Sequence, residues 1–568
     1  MAMSAEKGYW DRLWQRRVGR RRFLAYIAAG ATGAGLAAAC RPGEQEVLPA
    51  PTTPEARPTP PPGQGGTLVL HDNGDPPSFD SYKTWGYRTH QAMSLVYPKL
   101  LKYKSAPGVD PLAYEIVPDL AVAMPEQPDA TTYIFKLHPA QWENKPPLNG
   151  RPLTAEDIAK NWERFKAEHP NRGITADVDR VEAMAPDTVR FVLSRPLGAF
   201  LNYMGSHGMM YIMPYELFGT GQLEKDMWSA GRFVFRGYQV GAEIRFERNP
   251  NYFRKDRPIL GGTVIRIVPD VATTQAQLRT GQIDATGFAV MVTPKDVPSL
   301  KRDMPNATFT PFFRHVNEWL GFDLREAPFQ DKRVRQAISM GINRDEFVTL
   351  SGEGLWSMPY GALKLWYFDP KRNEFPNARY YQYNPQEARA LLRAAGYERI
   401  GPYDLIFYQD RYAEQRDYAA LLQQQLRAIG VEVNLKPMPY AEFYSLAIVA
   451  GRWEKALAYG SNLASDDPDQ IFTFFWTPGS PRLVAPGLDP LLRQDTELLS
   501  AIERQKRELD FNRRRELVRE VVNIMADRMY NIPMVLPGAY HVHQGSVRNM
   551  NWIFSAGLEY LDDPYKEQ

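Results

Sequence analysis

The sequence predicts an α/β protein built as two or three lobes, and three observations carry that prediction. At 568 residues the chain is too long for one ordinary core. Residues 404–449 alternate strand-like and helix-like runs, and another strand follows at 456–459. Strand, helix, strand, helix, strand means two crossover units and a largely parallel sheet. That last strand runs into a loop holding Asp466, Asp467 and Asp469 around Pro468. A polar loop at the carboxyl end of such a strand is where open α/β sheets bind ligands. The plainer expectation for it is an acidic surface turn ended by Pro468.

The amino terminus reads as an address. Arg20-Arg21-Arg22-Phe23-Leu24 precedes a mild apolar run at 25–39 that ends at Cys40. Charged region, short apolar region and small residues make an export signal. The arginine motif resembles a twin-arginine signature, and Ala37-Ala38-Ala39-Cys40 resembles a lipobox, with Leu36 one position early. The run is shorter than the ~20 residues that span a bilayer, which disfavours a permanent membrane helix. Residues 1–39 carry seven cations and two anions, so the rest of the chain is net −3 although the whole is +2. The basic excess therefore belongs to targeting, and no basic patch for nucleic acid is left on the body. Residues 41–64 hold eight prolines and almost no large apolar side chain, a polyproline-type tether. At ~3 Å per residue it reaches roughly 70 Å.

In the body, residues 66–70 (GTLVL) form a strand entering an Asp/Gly/Pro-rich loop with Trp85 and Tyr87. A short helix is expected at 91–101 and a half-buried strand at 132–137. Thr154 is a natural N-cap with Asp157 three residues on, and Ile158, Trp162 and Phe165 supply the apolar stripe of the helix that follows. Strands are expected at 189–193, 242–246, 264–268 and 320–324, with helices at 273–280 and 331–340. Asn384, Pro385 and Glu387 open a helix that Gly396 closes, with Leu391 and Leu392 facing the core. Then come a strand at 405–408, a helix at 413–429 ended by Gly430, a strand at 431–435 and a helix at 440–449. A charged helix at 511–530 leads to a final strand at 532–536, which returns the chain to the first lobe.

Little here points to catalysis. The single cysteine excludes an internal disulfide framework and a Cys-based metal site. Gly205-Ser206-His207-Gly208 lacks nucleophile-elbow spacing, and neighbours on one loop do not make a nucleophile and its base. His541-x-His543 puts two imidazoles on one strand face, half of a metal site at best, with a surface pair as the plainer expectation. A cell-surface hydrolase would draw its acid pair from Asp466 and Asp467, although adjacency in sequence usually points two side chains apart. No metal, cofactor or phosphate-binding loop is expected.

Several blocks, in this order, resemble one family. They are Pro118-Asp119-Leu120-Ala121, residues 133–137 (YIFKL), Trp142-Glu143-Asn144, residues 149–157 (NGRPLTAED), 247–252 (ERNPNY), 280–284 (TGQID), 328–338 (PFQDKRVRQAI), 383–388 (YNPQEA), 426–431 (LRAIGV) and Pro468-Asp469. This set is similar to the extracytoplasmic solute-binding proteins of ABC importers, family 5, which includes dipeptide- and oligopeptide-binding proteins. The resemblance implies the two-lobed periplasmic-binding-protein fold of type II, in its three-region peptide-binding variety, with a hinge between the lobes. It implies a signal at 1–39, a tether at 40–64, and lobe I in three parts, 65–98, 228–314 and 529–568. A small region at 99–227 would pack on lobe I, and lobe II would span 315–528. The ligand would be enclosed between lobes that close by hinge motion. The partners implied are a permease and an ATPase, with a lipid-modified Cys40 holding a monomer outside the membrane.

The ligand stays open at this point. In peptide-binding relatives an aspartate four residues before the Pro468 position holds the peptide amine; here that register gives Ala464, with Ser461 where relatives often carry Trp. Asp466 or Asp467 would substitute if the loop shifted. Trp85, Tyr87, Trp319, Trp356 and Trp366 are candidate stacking platforms for an oligosaccharide, and Arg314, Tyr459 and Asn462 are further cleft candidates. A peptide, an oligosaccharide, a nickel chelate or another small solute all remain.

Overall fold

The computed structural model describes residues 59–567, apart from 85, 111, 208, 288–291, 315, 362–363, 411, 413, 464–465, 481–484 and 554–560. The export signal, Cys40 and most of the tether therefore lie outside the described residues, as do Trp85 and Ala464. The described part is one compact unit.

In chain order the elements that matter are β1 (Thr67–Asp72) and α1 (Tyr87–Val96), then β2 (Glu126–Asp129), β3 (Thr132–Lys136), α2 (Ala155–Glu168), β4 (Val178–Ala185), β5 (Thr188–Leu193) and α3 (Phe200–Gly205). Next come β6 (Phe233–Gln239), β7 (Glu243–Arg248), β8 (Gly262–Ile267), α4 (Val271–Arg279), β9 (Ala285–Thr286), β10 (Thr308–Phe313) and β11 (Val316–Phe322). The second half holds α5 (Lys332–Met340), β12 (Gly354–Trp356), α6 (Pro385–Ala394), β13 (Ile400–Tyr408), α7 (Gln415–Ala428), β14 (Val431–Met438) and β15 (Ala456–Leu463). The chain closes with α8 (Pro468–Phe475), α9 (Thr496–Arg507), α10 (Phe511–Arg528), β16 (Asn531–Pro533) and β17 (Val535–His543).

These build three main layers. An eight-stranded sheet runs β6-β7-β8-β1-β9-β17-β10, with β12 also on β17. A five-stranded sheet runs β14-β13-β15-β11-β16, and a four-stranded antiparallel one β2-β3-β5-β4. Besides the excursion of β12 onto β17, the chain runs directly from one large sheet into the other at two places. It leaves β10 for β11 after Arg314, and returns from β16 to β17 across Met534. The two passages are bonded to each other: Arg314 N–H donates to Pro537 O at 3.2 Å and Met534 N–H to Glu318 O at 2.9 Å.

Local chemistry explains the boundaries of α2 and α6. Thr154 and Asp157 form the expected capping box of α2, whose Ile158, Trp162 and Phe165 are buried. Asn384 accepts from Glu387 N–H at the start of α6, and Gly396 ends it at φ +91°. Of its two leucines, Leu392 is buried and Leu391 is only half-buried.

Four expectations need correction. The helix placed at 91–101 begins at Tyr87 and stops at Val96, because Tyr97 stands before Pro98 and is held extended. The five-stranded sheet is mixed rather than largely parallel: β13 is parallel to β14 and β15, while β11 is antiparallel to β15 and β16. The helix at 440–449 is one α-turn, Tyr440–Phe443, followed by π-helix at Tyr444–Val449. The final strand is two strands in two sheets, β16 and β17, because Met534 carries the chain from one to the other.

Candidate functional site

Strands β13 and β15 are parallel neighbours, so their carboxyl ends lie together, and a set of rings collects there. Tyr408 meets Tyr440 and Phe443 edge-on, each at 5.4 Å between centroids, and Tyr412 at 6.1 Å. The Tyr408 hydroxyl shares a 2.9 Å hydrogen bond with Ser461 Oγ. Asp410 accepts from Tyr440 N–H at 2.8 Å and so fixes the turn that delivers this ring.

The inter-sheet passage supplies charge beside the rings. Arg314 is buried, pairs with Glu414 and lies 4.4 Å over the Tyr412 ring. Burial opposes its charge, but Glu414, with Tyr412 and Glu318 adding to it, holds the guanidinium above its usual range. Tyr459 donates to Glu318 Oε2 at 3.0 Å, and burial together with that carboxylate pushes its hydroxyl well above the ordinary tyrosine range.

Asn462 sits at the end of β15, paired in register with Asn317 of β11. Asn317 is satisfied by Pro359 O and the Ser357 hydroxyl. Asn462 is 5% exposed, and neither its amide nitrogen nor its oxygen has a hydrogen-bond partner among the described residues. A buried carboxamide with donor and acceptor both unspent is costly and calls for a matching group.

The acidic loop is not the surface turn expected from sequence. All three carboxylates are buried, and Pro468 starts a helix rather than ending a turn. Asp467 is the N-cap of α8, accepting from Asp469 N–H at 2.9 Å. It also pairs with Arg514 and accepts from Asn202 Nδ2 at 2.8 Å. Asp469 accepts from Tyr203 Oη at 2.7 Å and Gln505 Nε2 at 2.6 Å. Asp466 lies 3.0 Å from His207 Nδ1 and 3.3 Å from its backbone nitrogen. Burial opposes the Arg514 charge, and Asp467, with Asp469 and Tyr203 adding to it, more than offsets that. A cavity of about 400 Å³ opens beside this loop, lined among others by Tyr114, Leu201, Trp366, Asp466 and Arg514.

The other nominated residues scatter. Trp319 is fully buried against Trp453, with Gly460 beside it, so it is core of the second sheet and not a ligand platform. Trp356 is spent too: its Nε1 donates to Asp345 at 2.9 Å and Lys371 lies 5.1 Å over its ring. Trp366 carries the Arg514 guanidinium at 4.9 Å. Tyr87 opens α1, half-buried, with its hydroxyl 3.3 Å from Asn73 just past the end of β1. His541 is no surface residue. It is sandwiched between Phe312 and Trp552, and burial pushes its imidazole down to about 3. His543 is buried as well. Among the described residues no group of three or more His, Cys, Asp or Glu side chains could hold a metal ion. No described helix is long and apolar enough to cross a membrane.

Sequence reasoning missed Tyr408, Tyr412, Tyr440, Glu414 and Arg514, and it set His207 aside as a base without finding its carboxylate partner. The tyrosines had a signal, since Tyr408 and Tyr412 follow the legible strand at 405–408 directly. His207 and Arg514 had none, because their partners are 259 and 47 residues away.

Two α/β layers joined by two bonded passages, with polar and aromatic groups gathered at strand ends, define a two-lobed solute receptor of the type II periplasmic fold. Residues 115–481, well over half of the chain, match the family "Bacterial extracellular solute-binding proteins, family 5 Middle". The chain belongs to that family. It is 26% identical to the di/tripeptide-binding protein 2 of Pseudomonas aeruginosa over 85% of this chain and 92% of that one. It is 24% identical to the dipeptide-binding protein of Escherichia coli over 72% and 78%. Among solved structures, DppA of Helicobacter pylori in complex with the peptide STSA superposes with a TM-score of 0.72 at 21% identity, covering 89% of this chain and 99% of that one. AgaA in complex with agropinic acid, from A. tumefaciens R10, gives 0.71 at 21% identity over 89% and 99%.

Proposed function

We propose that this protein is the receptor of an ABC importer that captures a peptide-like solute outside the membrane and delivers it to a permease. It is a binding protein and not an enzyme. It works as a monomer held by a lipid on Cys40 and a proline-rich tether, with the lobes and small region divided as the family pattern implies. The solute lies between the two large sheets, against the strand ends that carry Tyr408, Tyr412, Ser461 and Asn462. The observation that carries the peptide-like reading is the buried, unspent carboxamide of Asn462. A peptide group offers the one acceptor and one donor that it lacks. Micromolar capture needs about 8 kcal/mol net, within reach of ring contacts and a few satisfied hydrogen bonds.

A ligand that binds only the folded form raises its melting temperature. A pool of di- and tripeptides is expected to raise it by several degrees, and oligosaccharides or nickel chelates are not. A second reading, a sugar or other small solute, rests on the tyrosine rings at the strand ends. It wins if those solutes shift melting and peptides do not. Turnover of a solute without any shift would sink the receptor reading.

A further inference from the structure

Resting on the peptide-like reading, we propose that the solute carries a positively charged nitrogen, at its amino end or on a basic side chain, and that this group docks on Asp410 just past the carboxyl end of β13.

The sheet register places Asp410. Strands β13 and β15 are parallel, with Phe407 opposite Tyr459. Three residues further along each chain, Asp410 and Asn462 come to the same level. On its other side β13 runs beside β14, with Tyr408 opposite Met438. That pairing continues past the strand, since Gln409 N–H donates to Met438 O at 3.2 Å and Tyr440 N–H to Asp410 Oδ1 at 2.8 Å. Asp410 therefore stands between Tyr440 and Asn462 at the carboxyl ends of three strands, with Tyr408 and Tyr412 two residues away on either side.

Exposure separates Asp410 from the other carboxylates of this region. Asp466, Asp467, Asp469 and Glu318 are buried, and Glu414 is half-buried and pairs with Arg314. Asp410 is exposed, and the group that holds it is a main-chain N–H. Among the described residues no side chain pairs with it: Arg314 pairs with Glu414 instead, and Arg416 donates to Gln409.

A reachable carboxylate beside tyrosine rings suits an ammonium or a guanidinium, which gains charge-assisted hydrogen bonds from the one and cation–π attraction from the other. Lobe closure takes water away from the pair and strengthens it. The spacing also fits a peptide. Adjacent strands lie ~4.8 Å apart, and an extended chain advances ~3.4 Å per residue. A nitrogen held at Asp410 thus leaves a neighbouring peptide group for the unspent carboxamide of Asn462. An anionic group at the same place meets a like charge instead.

Calorimetry on the full chain compares three tripeptide pools: neutral side chains with a free amino end, the same pool N-acetylated, and an N-acetylated pool with one lysine in each peptide. The free-amine pool or the lysine pool is expected to bind at least tenfold more tightly than the neutral acetylated pool. A gain in the free-amine pool identifies the amino end as the docking group, and a gain in the lysine pool identifies the side chain. If neither exceeds the neutral acetylated pool tenfold, the inference falls while the peptide receptor stands. If no pool binds, the peptide-like reading fails and this inference with it.

Asp410→Asn assigns the residue. It removes the charge and keeps an acceptor for Tyr440 N–H, with apo melting as the control for folding. It is expected to weaken the preferred cationic pool at least tenfold and to leave the neutral acetylated pool within threefold, so that the preference disappears. A purely structural Asp410 would move all pools alike, so an equal loss in every pool, or an intact preference, overturns the proposal. Asp410→Ser, which also offers Tyr440 N–H an acceptor, carries the same comparison should the first variant fail to fold.

Discussion

Two junctions between the half of the molecule that carries the five-stranded sheet and the rest are held by different chemistry. At the passages between the large sheets the bonds are main chain to main chain: Arg314 to Pro537, Met534 to Glu318, and Ser357 to Met534. At the acidic loop, the contacts to α3 and His207 end on carboxylate oxygens of Asp466, Asp467 and Asp469. Main-chain bonds do not depend on which side chain is present, so the passages tolerate substitution. The carboxylate contacts exist only because three particular residues meet three particular partners, and each can be removed singly. In a receptor that opens by bending at the passages, the loop contacts are the ones that must be exchanged.

The largest effect is expected where a buried charge loses its partner. Arg514→Met takes the guanidinium away from Asp467, 1% exposed, which keeps Asn202 and its own helix N-terminus among its partners. Removing one member of a buried ion pair costs about 3–5 kcal/mol. Urea unfolding read by tryptophan fluorescence measures it, and a loss under about 1 kcal/mol would show that the carboxylate sheds its charge or finds water instead. A smaller loss, about 1–3 kcal/mol, is expected for Asp466→Ala, which strips the buried His207 backbone N–H and ring of their shared acceptor. Its second signature is faster amide exchange at His207 than at the passages, because only the loop contact is weakened.

Tyr203→Phe removes a single hydroxyl from Asp469, which keeps Gln505 at 2.6 Å. Because the acceptor is still served, the expected loss is about 1 kcal/mol. A loss as large as that of Arg514→Met would mean the loop behaves as one coupled network, which the double variant with Asp466→Ala would reveal as non-additivity.

The same division explains what was legible in the sequence. Signals that act within a few residues were read well: the Thr154 capping box, Asn384 with Pro385, Gly396 as terminator, and the alternation of β3. Pairings that join distant segments were not. Nothing near Met534 says that one extended run feeds two sheets, and nothing near Asp466 says that His207 will face it. Tryptophans misled for a physical reason. Trp319 and Trp356 have the surface to stack on a sugar, but the same surface rewards burial, and which use prevails is set by neighbours such as Trp453 and Asp345 that sequence distance hides. The acidic loop was found by its composition and misjudged in role, since three carboxylates in four positions look solvated until Arg514, Tyr203 and His207 are seen around them.

The smallest effect is expected at the passage itself. Met534 is fully buried, yet what it does for the crossing is done by its backbone: its N–H donates to Glu318 O and its carbonyl accepts from Ser357 N–H. Met534→Leu keeps both bonds and nearly the same volume, so the loss should stay below about 1 kcal/mol, at the low end of volume-conserving core swaps. Ligand affinity should not change, because no bond between the passages is touched. Circular dichroism melts and calorimetry with the peptide pool check the two halves of that expectation. A large loss on Met534→Leu would place the side chain, rather than the backbone ladder, in charge of the crossing, and would erase the distinction drawn between the two junctions.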